Sequence, residues 1–206
     1  MVTQIKICGL TQEIEIPAVN AVLPEYVGFV FAPNSKRFVT HEQAAKLREL
    51  IYPEIACVGV FVDADIDEII SLYKAKTISI IQLHGNENEM YLSELQSRLY
   101  APIIKVVSVT LNWTAPATEA DYLLLDSGTG GTGEVFDWGL VGDVGMEYFL
   151  AGGLTPDNVG AAVEQLRPYC VDVSSGVETN GLKDAEKIRL FCENARQAAA
   201  DRSHDS

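Results

Sequence analysis

Basic residues are scarce in this chain: 15 Lys and Arg stand against 29 Asp and Glu, a formal net charge of −14 over 206 residues. Such a balance disfavours nucleic acid and anionic membrane as partners, so any anionic ligand must find its positive charge locally. Cysteine occurs four times and histidine three times. Cys8, Cys57, Cys170 and Cys192 lack the C-x-x-C spacing of zinc or redox sites, and His41, His84 and His204 lend a metal site little support. Reduced thiols in a cytoplasmic protein are the expectation. Apolar runs stay well short of the roughly 18 residues of a membrane span. The first residues, Met1 to Cys8, lead directly into a strand pattern and carry no signal-peptide core or cleavage site. No Gly-Lys-Ser/Thr follows any glycine loop, which removes a Walker-type nucleotide site.

What is present is alternation. Apolar, β-rich runs occur at Gln4–Cys8, Tyr26–Phe31, Ala56–Val62, Ser79–His84, Ile103–Val109, Tyr122–Asp126, Tyr148–Ala151 and Val171–Ser174. Helical patterns separate most of them. Thr40 with Gln43 forms a capping box, and Asn88 to Leu99 has apolar residues at helical spacing. Thr155 followed by Pro156 reads as an N-cap with proline at the first helical position. Asp184 opens a last helix whose Ile188, Phe191, Cys192 and Ala195 share a face. Leu111 to Ala120 is the weakest crossover. Eight strands with eight crossovers predict a closed (β/α)8 TIM barrel, one compact domain over residues 1–200 with few insertions, followed by a disordered tail from Asp201 to Ser206.

The most informative stretch is Tyr122 to Trp138. Its apolar run suits a buried parallel strand ending on Asp126, and Gly128, Gly130, Gly131 and Gly133 follow either as a close-approach loop or lid, or as a flexible connection with an incidental aspartate at its start. Gly128, Gly130 and Gly133 satisfy G-x-G-x-x-G. The dinucleotide fingerprint needs a helix at the glycines, whereas the helix signal here waits until Asp137, and the next strand ends without an acid.

In a barrel, the residues closing each strand become the site candidates. Gly152-Gly153 and Ser174-Ser175-Gly176 follow strands seven and eight, where backbone amides commonly hold phosphate. Cys8 is either a small buried hydrophobe or a thiol activated by a following helix that Thr11 caps. Lys6 shares its face, and with Lys105 is expected to point into the barrel. Asp126 and Asp172 are candidate partners, leaving open whether the lysines are structural or catalytic. His84 reads as a ligand-orienting or supporting group.

Lys6-Ile7-Cys8-Gly9-Leu10, Gly28-Phe29-Val30-Phe31 with Ser35-Lys36-Arg37, and Val58-Gly59-Val60-Phe61-Val62 are the first of an ordered series of motifs. Gln82-Leu83-His84-Gly85, Leu125-Asp126, Gly130-Gly131-Thr132-Gly133, Phe136-Asp137-Trp138, Ala151-Gly152-Gly153-Leu154 and Val171 to Glu178 complete it. Taken together the chain resembles the phosphoribosylanthranilate isomerase family of tryptophan biosynthesis. The resemblance implies an Amadori rearrangement of a phosphorylated aminoaldose without metal or organic cofactor, with Cys8 as general base and Asp126 as general acid. It also implies that Arg37 clamps the anthranilate carboxylate. The expected substrate-binding set is Arg37, His84, Gly152, Gly153, Asp172, Ser174, Ser175 and Gly176, in a monomer or homodimer. A related barrel isomerase of histidine biosynthesis is the nearest alternative, and an aspartate in place of the Cys8 thiol would be expected there. A barrel that binds phosphorylated ligands without turnover is the alternative from another class.

Overall fold

The computed structural model describes residues 3–111, 113–127 and 136–204. The glycine loop, residues 128–135, lies outside them. Eight strands run β1 Gln4–Cys8, β2 Tyr26–Val30, β3 Ala56–Phe61, β4 Ile80–Leu83, β5 Ile103–Ser108, β6 Tyr122–Asp126, β7 Tyr148–Leu150 and β8 Cys170–Val173. All pair in parallel in chain order, and β1 also pairs with β8, so the sheet closes into the expected barrel. At the closing seam Lys6 lies opposite Asp172. Closure leaves no unpaired edge.

The helices are α1 Ile16–Val22, α2 His41–Leu50, α3 Ile66–Lys74, α4 Glu89–Arg98, α5 Val159–Leu166 and α6 Ala185–His204. Where the sequence carries a side-chain cap, the helix starts at it. Thr40 accepts from Gln43 N at 3.2 Å, Asn88 from Tyr91 N at 3.0 Å, and Asp184 from Glu186 N at 3.0 Å. Two expected starts are displaced. Asn158 accepts from Thr155 N and donates to Gly153 O, a local turn that delays α5 to Val159. Thr11 caps nothing: its amide and that of Gln12 donate to the Glu15 carboxylate, and only a 3-10 turn, Glu13–Glu15, precedes α1. Between β5 and β6 the described residues hold no helix. Between β6 and β7 the described residues hold a 3-10 turn, Trp138–Leu140, capped by Asp137. Where a disordered tail was expected from Asp201, α6 continues to His204; residues 205–206 lie outside the described ones. Among the described residues no helix is long and apolar enough to cross a membrane.

Two apolar layers follow from period-two alternation on strands buried on both faces. The larger packs strands against helices; the smaller fills the barrel with Val58, Ile80, Ile104, Leu124, Phe149, Ala151 and Cys170. Tyr26, Tyr122 and Tyr169 pack against that inner layer at the strands' N-terminal ends. Tyr26 and Tyr169 share a hydroxyl hydrogen bond of 3.0 Å. The bottom is thereby plugged with aromatic rings, and polar groups are left to the opposite rim. Lys105 does not join them. Its neighbours Ile104 and Val106 take the inward positions, and Lys105 pairs with Glu89 on the helix side.

Candidate active site

The same alternation puts Lys6 and Cys8 on the inner face of β1. A full-sized thiol fits there because β2 carries glycine beside it: a Cβ on Gly28 would stand 2.6 Å from Cys8 Sγ. Lys6, one turn of the pleat below, is fully buried and donates to Asp172 Oδ2 at 2.8 Å. A buried cation without such a partner would be costly, and Asp172 on the paired strand supplies it. Burial opposes the Lys6 charge, yet Asp172 and Cys8 hold its pKa above the ordinary lysine value. Asp172 Oδ1 is buried and has no hydrogen-bond partner.

Burial pushes the Cys8 thiol above its ordinary value, against the charges of Lys6 and Lys183 and with that of Asp172. This corrects the expectation of a helix N-terminus lowering it, because α1 begins eight residues further on. The favourable charge at the thiol comes from lysines.

Asp126 closes β6 on the inner face, buried, its Oδ1 accepting from Ser127 N at 2.8 Å. His84, one residue past β4, reaches towards it with Nε2 3.7 Å from Asp126 Oδ2. Gln82 Nε2 stands 3.4 Å from His84 Nδ1 on the other side of the ring. Burial draws the His84 pKa down, outweighing the opposing pull of Asp126, so the imidazole is neutral at neutral pH. Lys6, Cys8, His84, Asp126 and Asp172 thus form one electrostatic group at the C-terminal rim.

The glycine turns after β7 and β8 meet each other beside this group. Gly152 and Gly153 have φ of 80° and 66°, a left-handed pair that side chains disfavour. A Cβ on Gly152 would lie 3.0 Å from Asp126 Oδ1, and one on Gly176 would lie 1.9 Å from Leu154 O. Ser175 and Gly176 open a 3-10 turn, Ser175–Val177. The Ser174 hydroxyl is used internally, donating to Cys8 O at 3.0 Å, so it ties the end of β8 to the end of β1.

Arg37, in the loop after β2, lies over Gly9, where a Cβ would come within 2.4 Å of Arg37 Cδ. Its Nε and Nη2 donate to Glu178 at 2.6 and 3.0 Å. Those bonds raise its pKa despite partial burial. Glu178 also takes Lys183 Nζ at 2.7 Å. Gln82, Glu178 and Lys183 join this group without being singled out by any sequence signal of their own. Glu178 stood within a quoted motif, but Lys183 carried no local signal of burial.

Titratable side chains and glycine turns thus meet at the strands' C-terminal ends of a (β/α)8 barrel, the face on which enzymes of this fold carry their chemistry. Residues 5–194 match the family described as N-(5'phosphoribosyl)anthranilate (PRA) isomerase. The chain belongs to that family of isomerases. A relative from Endomicrobium trichonymphae named N-(5'-phosphoribosyl)anthranilate isomerase is 47% identical over 189 residues, covering 90% of this chain and 94% of its own. The crystal structure of phosphoribosyl anthranilate isomerase from Thermus thermophilus superposes with a TM-score of 0.82 at 33% identity, covering 93% of this chain and 98% of its own. Another such isomerase, solved with reduced 1-(o-carboxyphenylamino)-1-deoxyribulose 5-phosphate, has a TM-score of 0.79 at 33% identity and covers 96% of this chain and all of its own, 100%.

Proposed function

We propose that the chain converts N-(5-phosphoribosyl)anthranilate to 1-(2-carboxyphenylamino)-1-deoxyribulose 5-phosphate, the Amadori step of tryptophan biosynthesis, with Asp126 as acid and Cys8 as base. The observation that carries the reading is that Cys8 and Asp126 close β1 and β6 of one barrel on its inner face, within a match to the isomerase family that runs nearly the whole chain. Asp126 protonates the furanose ring oxygen, the C1–O bond breaks, and an open-chain Schiff base forms. Cys8, as thiolate, takes the proton from C2; the electrons move to the nitrogen and give an enolamine. That enolamine tautomerises to the ketose: C1 gains a proton, the C2 hydroxyl gives one up, and the C2 oxygen becomes the carbonyl. No electrons leave or enter, so the reaction needs neither oxidant nor reductant.

The surroundings support the division of roles. Lys6 and Lys183 favour the thiolate that burial disfavours. Gly152, Gly153, Ser175 and Gly176 offer backbone N–H groups to the phosphate, and Gly152 lies against the proposed acid. Arg37 faces the aromatic carboxylate with a planar fork. His84, neutral, stands 3.7 Å from Asp126, beyond direct hydrogen-bond reach, and lines the rim beside the acid. Asp126→Asn and Cys8→Ala should each lower kcat by about two orders of magnitude or more while affinity for the reduced product analogue changes far less. Near-normal turnover in either variant would overturn the role given to that residue.

A further inference from the structure

Arg37 reaches the rim with part of its hydrogen-bonding capacity already committed. Nε and Nη2 are held side-on by the two oxygens of Glu178, which leaves the Nη1–Nη2 edge of the guanidinium for a ligand. Glu178 is itself held. Its side chain accepts from Lys183 Nζ at 2.7 Å and its carbonyl from Lys187 Nζ at 2.7 Å. Lys183 in turn donates to Ser174 O at 3.0 Å, and Ser174 Oγ to Cys8 O at 3.0 Å. A chain of short polar contacts therefore runs from the guanidinium to the backbone of the strand end that bears the thiol. Glu178 and Lys183 sit at either end of a small hairpin, β9 Glu178–Thr179 and β10 Leu182–Lys183, where they pair in register. Lys183 N donates to buried Glu15 at 2.8 Å, which fixes the hairpin to the turn before α1.

An arginine on a loop would otherwise sample many rotamers, and each would place its fork differently over the pocket. Resting on the anthranilate reading above, we propose that Glu178 is a positioning residue. It sets the aim of Arg37 and its distance from Cys8, so recognition of the ligand's aromatic carboxylate depends on a side chain that does not touch the ligand. The ion pair neutralises one of the two cations, Arg37 and Lys183, and leaves a single net positive charge for the incoming anion. Pre-organisation of this kind strengthens binding of the one group the fork is aimed at and leaves the rest of the ligand unaffected.

The test compares two ligands by titration calorimetry on wild type, Glu178→Ala and Glu178→Gln. One is the reduced product analogue with its ring carboxylate, the other the same molecule without it. Wild type should prefer the carboxylate ligand, and both variants should lose about tenfold or more of that preference. Affinity for the carboxyl-free ligand should stay within about twofold, since the phosphate amides are untouched. A parallel loss for both ligands would make Glu178 merely structural and overturn the proposal. So would tighter binding of the carboxylate ligand by Glu178→Ala, which would make Glu178 a competitor for Arg37. A preference retained in both variants overturns the positioning role alone, whereas a wild type without any preference overturns the anthranilate reading with it.

Discussion

Gly28→Ala isolates the thiol without touching it chemically. The new methyl would start 2.6 Å from Cys8 Sγ, 3.2 Å from its Cα and 3.3 Å from its Cβ. Ordinary contact begins near 3.4 Å, so sulfur has to retreat by about 0.8 Å, and the two carbons leave little room for a backbone response. Overpacking of this size costs about 1–3 kcal/mol of stability. A reacting group misplaced by about 1 Å can lose about 100-fold in rate. Gly59→Ala is the control: its methyl would meet Phe61 and Ile78 at 2.7–2.9 Å on the helix side of β3, an equal insult away from the thiol. Thermal melts should report comparable destabilisation for the two variants. Turnover of N-(5-phosphoribosyl)anthranilate, generated in situ and followed spectroscopically, should fall by about two orders of magnitude only in Gly28→Ala. If both variants turn over equally while equally destabilised, the position of the thiol is irrelevant and the base assignment fails.

Two further outcomes follow from buried charge. Lys6→Met strands Asp172 in the interior and should cost about 3–5 kcal/mol in denaturant unfolding, with much of it recovered when Asp172→Leu is added; an unfolding midpoint unchanged in the single variant would refute the pairing as drawn. Because burial lowers the His84 pKa, the unfolded chain takes up the proton first as pH falls. The neutral imidazole's contribution is therefore present above about pH 6.5 and lost as pH drops from there through the lower folded value. The stability difference between wild type and His84→Gln should shift against wild type below pH 6.5, and a pH-independent difference would contradict it.

The barrel was readable in the chain because a strand buried on both faces is written as an unbroken apolar run. Tyr122–Asp126 was found to the residue. The apolar run Val171–Ser174 predicts the last strand one residue late at each end: it spans Cys170–Val173, and Ser174 beyond it turns to donate to Cys8 O. Double burial also hides phase: nothing in Ile103–Ser108 tells which alternate residues face inward, and Lys105 was therefore assigned to the wrong side. The Lys6–Asp172 partnership depends on the register at the closing seam, a non-local property. Neither Thr11 nor Thr155 serves as a side-chain cap; each instead donates its own amide to a side chain further along, Thr11 to Glu15 and Thr155 to Asn158. The part of the site least visible in sequence is the Arg37–Glu178–Lys183 cluster, built from residues up to 146 positions apart whose contacts arise only once the barrel closes.

An acid and a base that converge on one open-chain sugar are the core of the account, and a crystal structure of this chain with the reduced product analogue bound would test it most directly. The expected density has Cys8 Sγ in contact with C2 and the Asp126 carboxyl within hydrogen-bond reach of the oxygen on C4. It also has the phosphate on the amides of Gly152, Gly153, Ser175 and Gly176. A sugar lying out of reach of either side chain, or a phosphate bound elsewhere on the barrel, would contradict it.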